Sequence, residues 1–204
     1  PSLITELASG IVIIVFNIII LAIQGNVGVA AYGVIANISF VVASIYTGIA
    51  QGMQPIVSSA YGRGNISSVK LTLKYAVVTM LAVSVLVYTC IFIFAGPITG
   101  IFNSGNNGIL QSIAEQGLKI YFTAVPFMGL NIVISMFFIA VEKAIPAQAI
   151  SLLRGIVLII PIALLMSFLA SLIGVWLTLP MTEGLVAILG IVLYCRVKKL
   201  SLIH

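Results

Sequence analysis

The stretch GIAQGMQPIVSSAYGRGN, residues 48–65, breaks into a chain otherwise dominated by Ile, Val, Leu and Ala with two glutamines, a proline and four glycines. Each of these residues makes a helix harder to keep in hydrocarbon. A side-chain amide must find a partner there, proline lacks the N–H that a helix uses, and glycine is less favourable than alanine in a helix by about 1 kcal/mol. Such a segment belongs where a membrane helix ends against water or meets other helices.

Composition on either side of this stretch makes lipid the solvent. The 204 residues are 62% hydrophobic and only 6% charged, with a mean hydropathy of +1.31, whereas soluble domains carry roughly 25% charged residues. A soluble fold of this size leaves too much surface in water to hide so many apolar side chains. The fold class expected is therefore an all-α membrane protein. Six apolar segments can be drawn, near residues 2–23, 29–58, 69–95, 109–141, 145–172 and 175–197, each close to or above the ~20 residues that span a bilayer. The breaks QGNVG, AYGRGNISS, GPITGIFNSGNNG, EKAIP and SLIG are rich in the residues that end helices and make turns.

Charge gives the orientation. If six helices alternate, Arg63, Lys70, Lys74, Lys143, Arg154, Arg196, Lys198 and Lys199 fall on one side and Lys119 on the other. The excess of Lys and Arg marks the cytoplasmic side, which places both chain ends there. The net charge of +5 is then a topology signal and requires no nucleic-acid partner. Cys90 and Cys195 lie in apolar runs without ligand spacing, the lone His204 is terminal, and the four acids are all Glu. No metal cluster and no nucleophile–base pair inside the spans can be assembled from this set, so an enzyme is not expected. The start at Pro1, with neither Met nor a basic leader, reads as a segment of something longer.

Polar residues within the spans share narrow faces when placed at 100° per residue. Glu6, Gly10 and Asn17 lie together on the first helix, and Gly33, Asn37, Ser44, Gly48, Gln51 and Pro55 form one stripe on the second. Asn131 and Ser135 share a face of the fourth, after Pro126. Small and amide residues in such stripes commonly serve helix packing. Pro126, Pro161 and Pro180 read first as kinks. Glu6 and Glu183 are harder to assign to packing, because an intramembrane carboxylate must face protein or water and is a functional-site candidate by default. Glu183 lies about 14 Å into the sixth segment at 1.5 Å per residue. Arg154 reads as a structural residue reaching toward water or toward Glu142.

The opening stretch resembles the multidrug and toxic compound extrusion (MATE) transporters, whose eighth helix ends in a Gly-x-x-Gln-Gly-x-Gln-Pro pattern followed by Ser, Tyr-Gly and Gly-Asn. Gly48, Gln51, Gly52, Gln54, Pro55, Ser58, Tyr61, Gly62, Gly64 and Asn65 match that pattern. LITELASGIVIIVFN, PFMGLNIVISMFF, SLLRGIVLIIP and GVWLTLPMTE are similar to helices seven, ten, eleven and twelve of the family. The resemblance implies that residues 1–204 form the C-terminal six-helix lobe of a twelve-helix carrier in the inner cell membrane, with an N-terminal lobe as partner. It further implies antiport of organic, often cationic, compounds against protons or sodium ions, with no other cofactor. Glu6 and Glu183 are the candidates for cation coupling, and Asn17, Asn37, Gln51 and Asn131 for the substrate cavity. Gly48, Gly52, Gln54, Pro55, Tyr61 and Gly62 are the cytoplasmic family motif, and Gln51, Gln54 and Pro55 read as the cytoplasmic mouth, where the glycines let neighbouring helices approach and slide. The alternatives are a lipid-linked saccharide flippase of the same superfamily, whose cavity would hold more cationic side chains for pyrophosphate, and a membrane assembly subunit that transports nothing.

Overall fold

The computed structural model describes the backbone of residues 2–200 and the side chains of residues 10–197. Four helical runs within it are long and apolar enough to cross a membrane: Gly10–Gly62, Ile66–Phe102, Gly108–Ala140 and Ala144–Val197. The first and last are double-length because each folds back on itself.

Helix α1 (Ser2–Gly62) reverses at Gly25, where φ is 68° and ψ is −159°, a conformation open essentially to glycine alone. Phe16 and Tyr32 lie on opposite sides of that residue, yet their rings stack at 5.4 Å. In an unbroken helix sixteen residues would separate them by about 24 Å. The five-residue break expected at QGNVG is thus a one-residue reversal.

Asn65 starts α2 (Ile66–Phe102) by accepting a hydrogen bond from the Ser68 N–H at 3.0 Å, a helix N-cap. Although Gly96 and Pro97 read as breakers, this helix continues through them to Phe102. Proline removes one backbone bond, and the helix absorbs the loss by bending at Phe94, where φ is −100° and ψ is 16°.

Asn107 caps α3 (Gly108–Tyr121), accepting from the N–H groups of Ile109 and Leu110. A 3₁₀ turn, Phe122–Ala124, leads into α4 (Val125–Ala140), with Pro126 in its first turn. Proline needs no N–H partner there. Helix α5 (Ala144–Leu152) passes through a π-helical stretch, Leu153–Val157, into α6 (Ile159–Leu200). The second reversal lies at Ala170 and Ser171, where Ser171 has φ 52° and ψ −132°. Gly174 follows so tightly against the Met166 backbone that a side chain has no room.

The core sits where these limbs converge. Trp176 is fully buried and stacks on Tyr32 at 6.3 Å, while Gly117 lies against its ring. Buried Tyr46 shares a 2.8 Å hydrogen bond with Ser84 of α2. Gly129 of α4 packs beneath, where a Cβ would come within 2.8 Å of Met80 and 2.9 Å of Tyr46. Large apolar side chains such as Phe168, 87% exposed, point outward, as expected of a surface whose solvent is hydrocarbon.

Candidate functional site

Glu183 of α6 is only 2% exposed. A buried ion costs several kcal/mol unless it is paired and its lone pairs are satisfied, and here both conditions are met. Arg154 donates from Nε at 3.1 Å and from Nη2 at 2.7 Å to the carboxylate Oε1. Asn131 donates from Nδ2 to Oε2 at 2.6 Å and to the Glu183 main-chain carbonyl at 2.9 Å. Arg154 therefore does not reach toward Glu142, which is exposed in the turn before α5; its partner is the carboxylate on the neighbouring helix. The guanidinium turns to Glu183 because an acid inside the spans demands a counter-charge there.

Arg154 stands in the π-helical stretch, where the Leu158 N–H bonds the Leu153 carbonyl at 3.0 Å. A wide turn of this kind inserts one extra residue and shifts the helix register. It precedes Pro161, which cannot supply a backbone donor. Asn131 and Ser135, on one face of α4, both turn to the same neighbourhood: Ser135 lies 3.3 Å from the Ala147 carbonyl and 3.4 Å from the Ser151 hydroxyl.

A cavity of about 380 Å³ opens beside the pair. Its polar groups include Tyr32, Ser39, Tyr121, Ser151, Arg154 and Glu183, and Phe40, Met128 and Ile159 contribute to the apolar wall. Tyr121, Tyr32 and Ser39 line the same cavity as Glu183. The two charges border the cavity unequally, with side-chain exposures of 23% for Arg154 and 3% for Glu183.

The other sequence candidates lie elsewhere. Asn131 is fully buried and supports Glu183 from behind, outside the cavity wall. Half-buried Asn17 is also outside the wall. Asn37 and Gln51 are exposed, and Asn37 Nδ2 is satisfied by the Gly33 carbonyl at 2.8 Å. The stripe from Gly33 to Pro55 thus runs along the outside of this half, because Tyr46, Ala50, Met53 and Val57 supply the buried face of the same limb. An added Cβ at Gly48 or Gly52 would meet nothing within 4 Å. Among the described residues, no helix packs against these two glycines at the Cβ position. Pro55 and Gly62 are exposed, while Gln54 and Tyr61 are half-buried. The end of the motif is a helix stop. Gly64 takes φ 71°, its N–H bonds the Tyr61 carbonyl at 2.9 Å, and the Asn65 N–H bonds that of Ala60 at 2.9 Å, which satisfies carbonyls left open by the helix end.

The side chains of Glu6, Lys198 and Lys199 lie outside the described residues. Glu115 of α3 escaped the sequence reading. It accepts from Gln111 Nε2 at 2.7 Å, and the same amide donates to the Gly96 carbonyl at 2.9 Å, tying α3 to the bent end of α2. Its signal was its charge alone, one of four acids in the chain.

The MatE family profile matches residues 1–165. The multidrug export protein MepA of Staphylococcus saprophyticus is 23% identical over 92% of this chain, which spans 41% of that protein. A FAD transporter of Shewanella oneidensis is 23% identical over 84% of the chain and is covered to 38%. Among solved structures, an outward-facing MATE transporter superposes with a TM-score of 0.90 at 19% identity, covering 98% of this chain and 45% of its own. An inward-facing one gives a TM-score of 0.90 at 18% identity. The chain spans less than half the length of the proteins it matches, and it belongs to the MatE family of transporters, which are multi-pass membrane proteins and not enzymes.

Proposed function

We propose that this chain is the six-span C-terminal half of an ion-coupled exporter of small organic compounds, and that the Glu183–Arg154 pair at the cavity is where its charge state changes. The observation that carries this reading is a buried carboxylate, held by one guanidinium and one amide, at the wall of a cavity between membrane helices. Reversals at Gly25 and Ser171 divide the four runs into six spans. Both ends are then cytoplasmic, in the inner cell membrane. Arg63, Lys70, Lys74, Lys143 and Arg196, which this orientation puts on that side, are exposed, and with Arg154 removed from the count the asymmetry against Lys119 still points the same way. The stripe of Asn37, Gln51 and Pro55 faces the N-terminal half, which accounts for polar groups on an otherwise apolar surface.

Coupling works through competition. An ion pair is stable in the interior only while both members are present, so a proton or sodium ion reaching Glu183 loosens the guanidinium and changes what the cavity holds. The coupling ion is the sole accessory required. A substrate cation would compete with that ion directly, which is antiport; the charge bordering the cavity most openly, however, is that of Arg154. This same residue is what favours the flippase reading, but a single cation balances little of a pyrophosphate. A non-transporting subunit has no use for the paired carboxylate.

The test is the complete transporter carrying Glu183→Gln, reconstituted in vesicles under an imposed proton or sodium gradient. Parent protein should move a fluorescent organic compound in a gradient-dependent manner, and the variant should insert equally well and lose that dependence. Gradient-driven movement at the parental rate would remove Glu183 from the mechanism, and an absence of movement by the parent would favour the assembly-subunit reading.

A further inference from the structure

We infer that Arg154 is the docking point for an anionic group, a carboxylate or a phosphate, on the organic compound that enters the cavity. The inference rests on reading that cavity as the transport site, and it names the charge of the substrate.

Three observations support it. The first is presentation, since the guanidinium is 23% exposed and the carboxylate 3%, so a molecule arriving in the cavity meets the cation. Occupancy is the second: Oε1 already accepts two bonds from Arg154 and Oε2 one from Asn131, which takes three of the carboxylate's roughly four acceptor positions. A substrate cation pairing with Glu183 would have to displace the guanidinium or crowd beside it at the position left. An anion needs no such rearrangement. The third is donor geometry. A guanidinium carries five N–H donors in a planar fork, and Glu183 takes only the Nε and Nη2 side. Nη1 has no acceptor among the described residues, which leaves the Nη1–Nη2 edge to receive a planar anion in the two-point manner for which arginine is suited. The hydroxyls of Tyr32, Ser39 and Tyr121 border the same space and can serve as further donors. Apart from Thr47 and Ser151, the remaining wall carries no polar side chain, so the ligand class is an anion on an aromatic or aliphatic body.

Glu183 then acts as an internal rival for the guanidinium. Removing its charge should strengthen anion binding, whereas at a cation site the same change should abolish binding. That difference of sign makes the inference testable independently of transport. Three probes share one ring system: 2-naphthoate, 2-naphthyl phosphate and (2-naphthyl)methylammonium. They are titrated calorimetrically into the complete transporter in lipid nanodiscs. At least one of the two anions should bind saturably, the tighter one naming the group. Glu183→Gln should tighten that binding several-fold, and Arg154→Gln should weaken it at least about tenfold. Because Arg154→Gln leaves a buried carboxylate without its partner, the double variant Arg154→Gln/Glu183→Gln, which replaces the ion pair with two amides, is measured alongside. It should keep a cooperative thermal transition and still lose the anion.

Binding of the ammonium probe alone, anion affinity unchanged in the double variant, or no binding of any probe would each overturn the inference. Gradient-driven transport by a protein that binds only the ammonium probe would leave the proposed function standing without it. Anion binding by a protein that moves nothing would do the reverse.

Discussion

Asn131 holds Glu183 at two points, through the carboxylate and through the main chain, so its amide cannot turn over without placing its oxygen against a carbonyl. It is a fixed donor. Asn131→Leu, similar in size, would leave Oε2 and the carbonyl without this partner at a cost of about 1–3 kcal/mol. Thermal unfolding of the purified protein should show a lower midpoint, and an unchanged midpoint would mean that the amide contributes little. At this scale the sequence was legible wherever hydrophobic surroundings made a polar residue conspicuous. Glu183 and the shared face of Asn131 and Ser135 could be read that way. The bond to Arg154 could not, because the two residues lie 29 positions apart on adjoining spans and helical periodicity says nothing about which spans touch. Charge accounting offered the missing clue: a carboxylate deep in a span needs a partner, and Arg154 was the basic residue placed well inside a segment.

The two reversals set the element scale. Gly25 adopts a conformation with positive φ and extended ψ that costs an L side chain about 1–3 kcal/mol. Nothing lies within 4 Å of an added Cβ, so Gly25→Ala isolates that backbone cost from any clash and should lower the thermal midpoint. Ser171 already bears the cost at φ 52°, so Ser171→Gly should raise it. Opposite signs in one assay test the geometry, and changes of the same sign would contradict it. Sequence placed both breaks correctly but made them too long, since turn-forming composition spreads over several residues while a single positive φ is enough to reverse the chain. The opposite error occurred at Gly96 and Pro97, which read as a loop. A proline kinks a helix without ending it when the neighbouring turn can bend, as Phe94 does. The π-helical turn at Leu153–Val157 had no sequence signature beyond the proline that follows it.

At the scale of the whole molecule, the half has three surroundings: an interior built on Trp176, Tyr46 and Phe16, an apolar exterior for lipid, and a polar-striped flank along α1. Composition separated interior from water but not lipid from partner, which is why the stripe could be drawn accurately and its outward direction could not. The proposed function requires that water reach the cavity walled by Arg154 and Glu183 from outside the bilayer. Accessibility of Ser151, which borders it, tests this most directly. In a complete transporter with Cys90 and Cys195 replaced by Ser, Ser151→Cys should react with a membrane-impermeant maleimide from one side of the membrane, while Val85→Cys, on the exposed apolar face near the middle of α2, should not. No labelling of Ser151→Cys from either side would contradict a water-filled site at the ion pair.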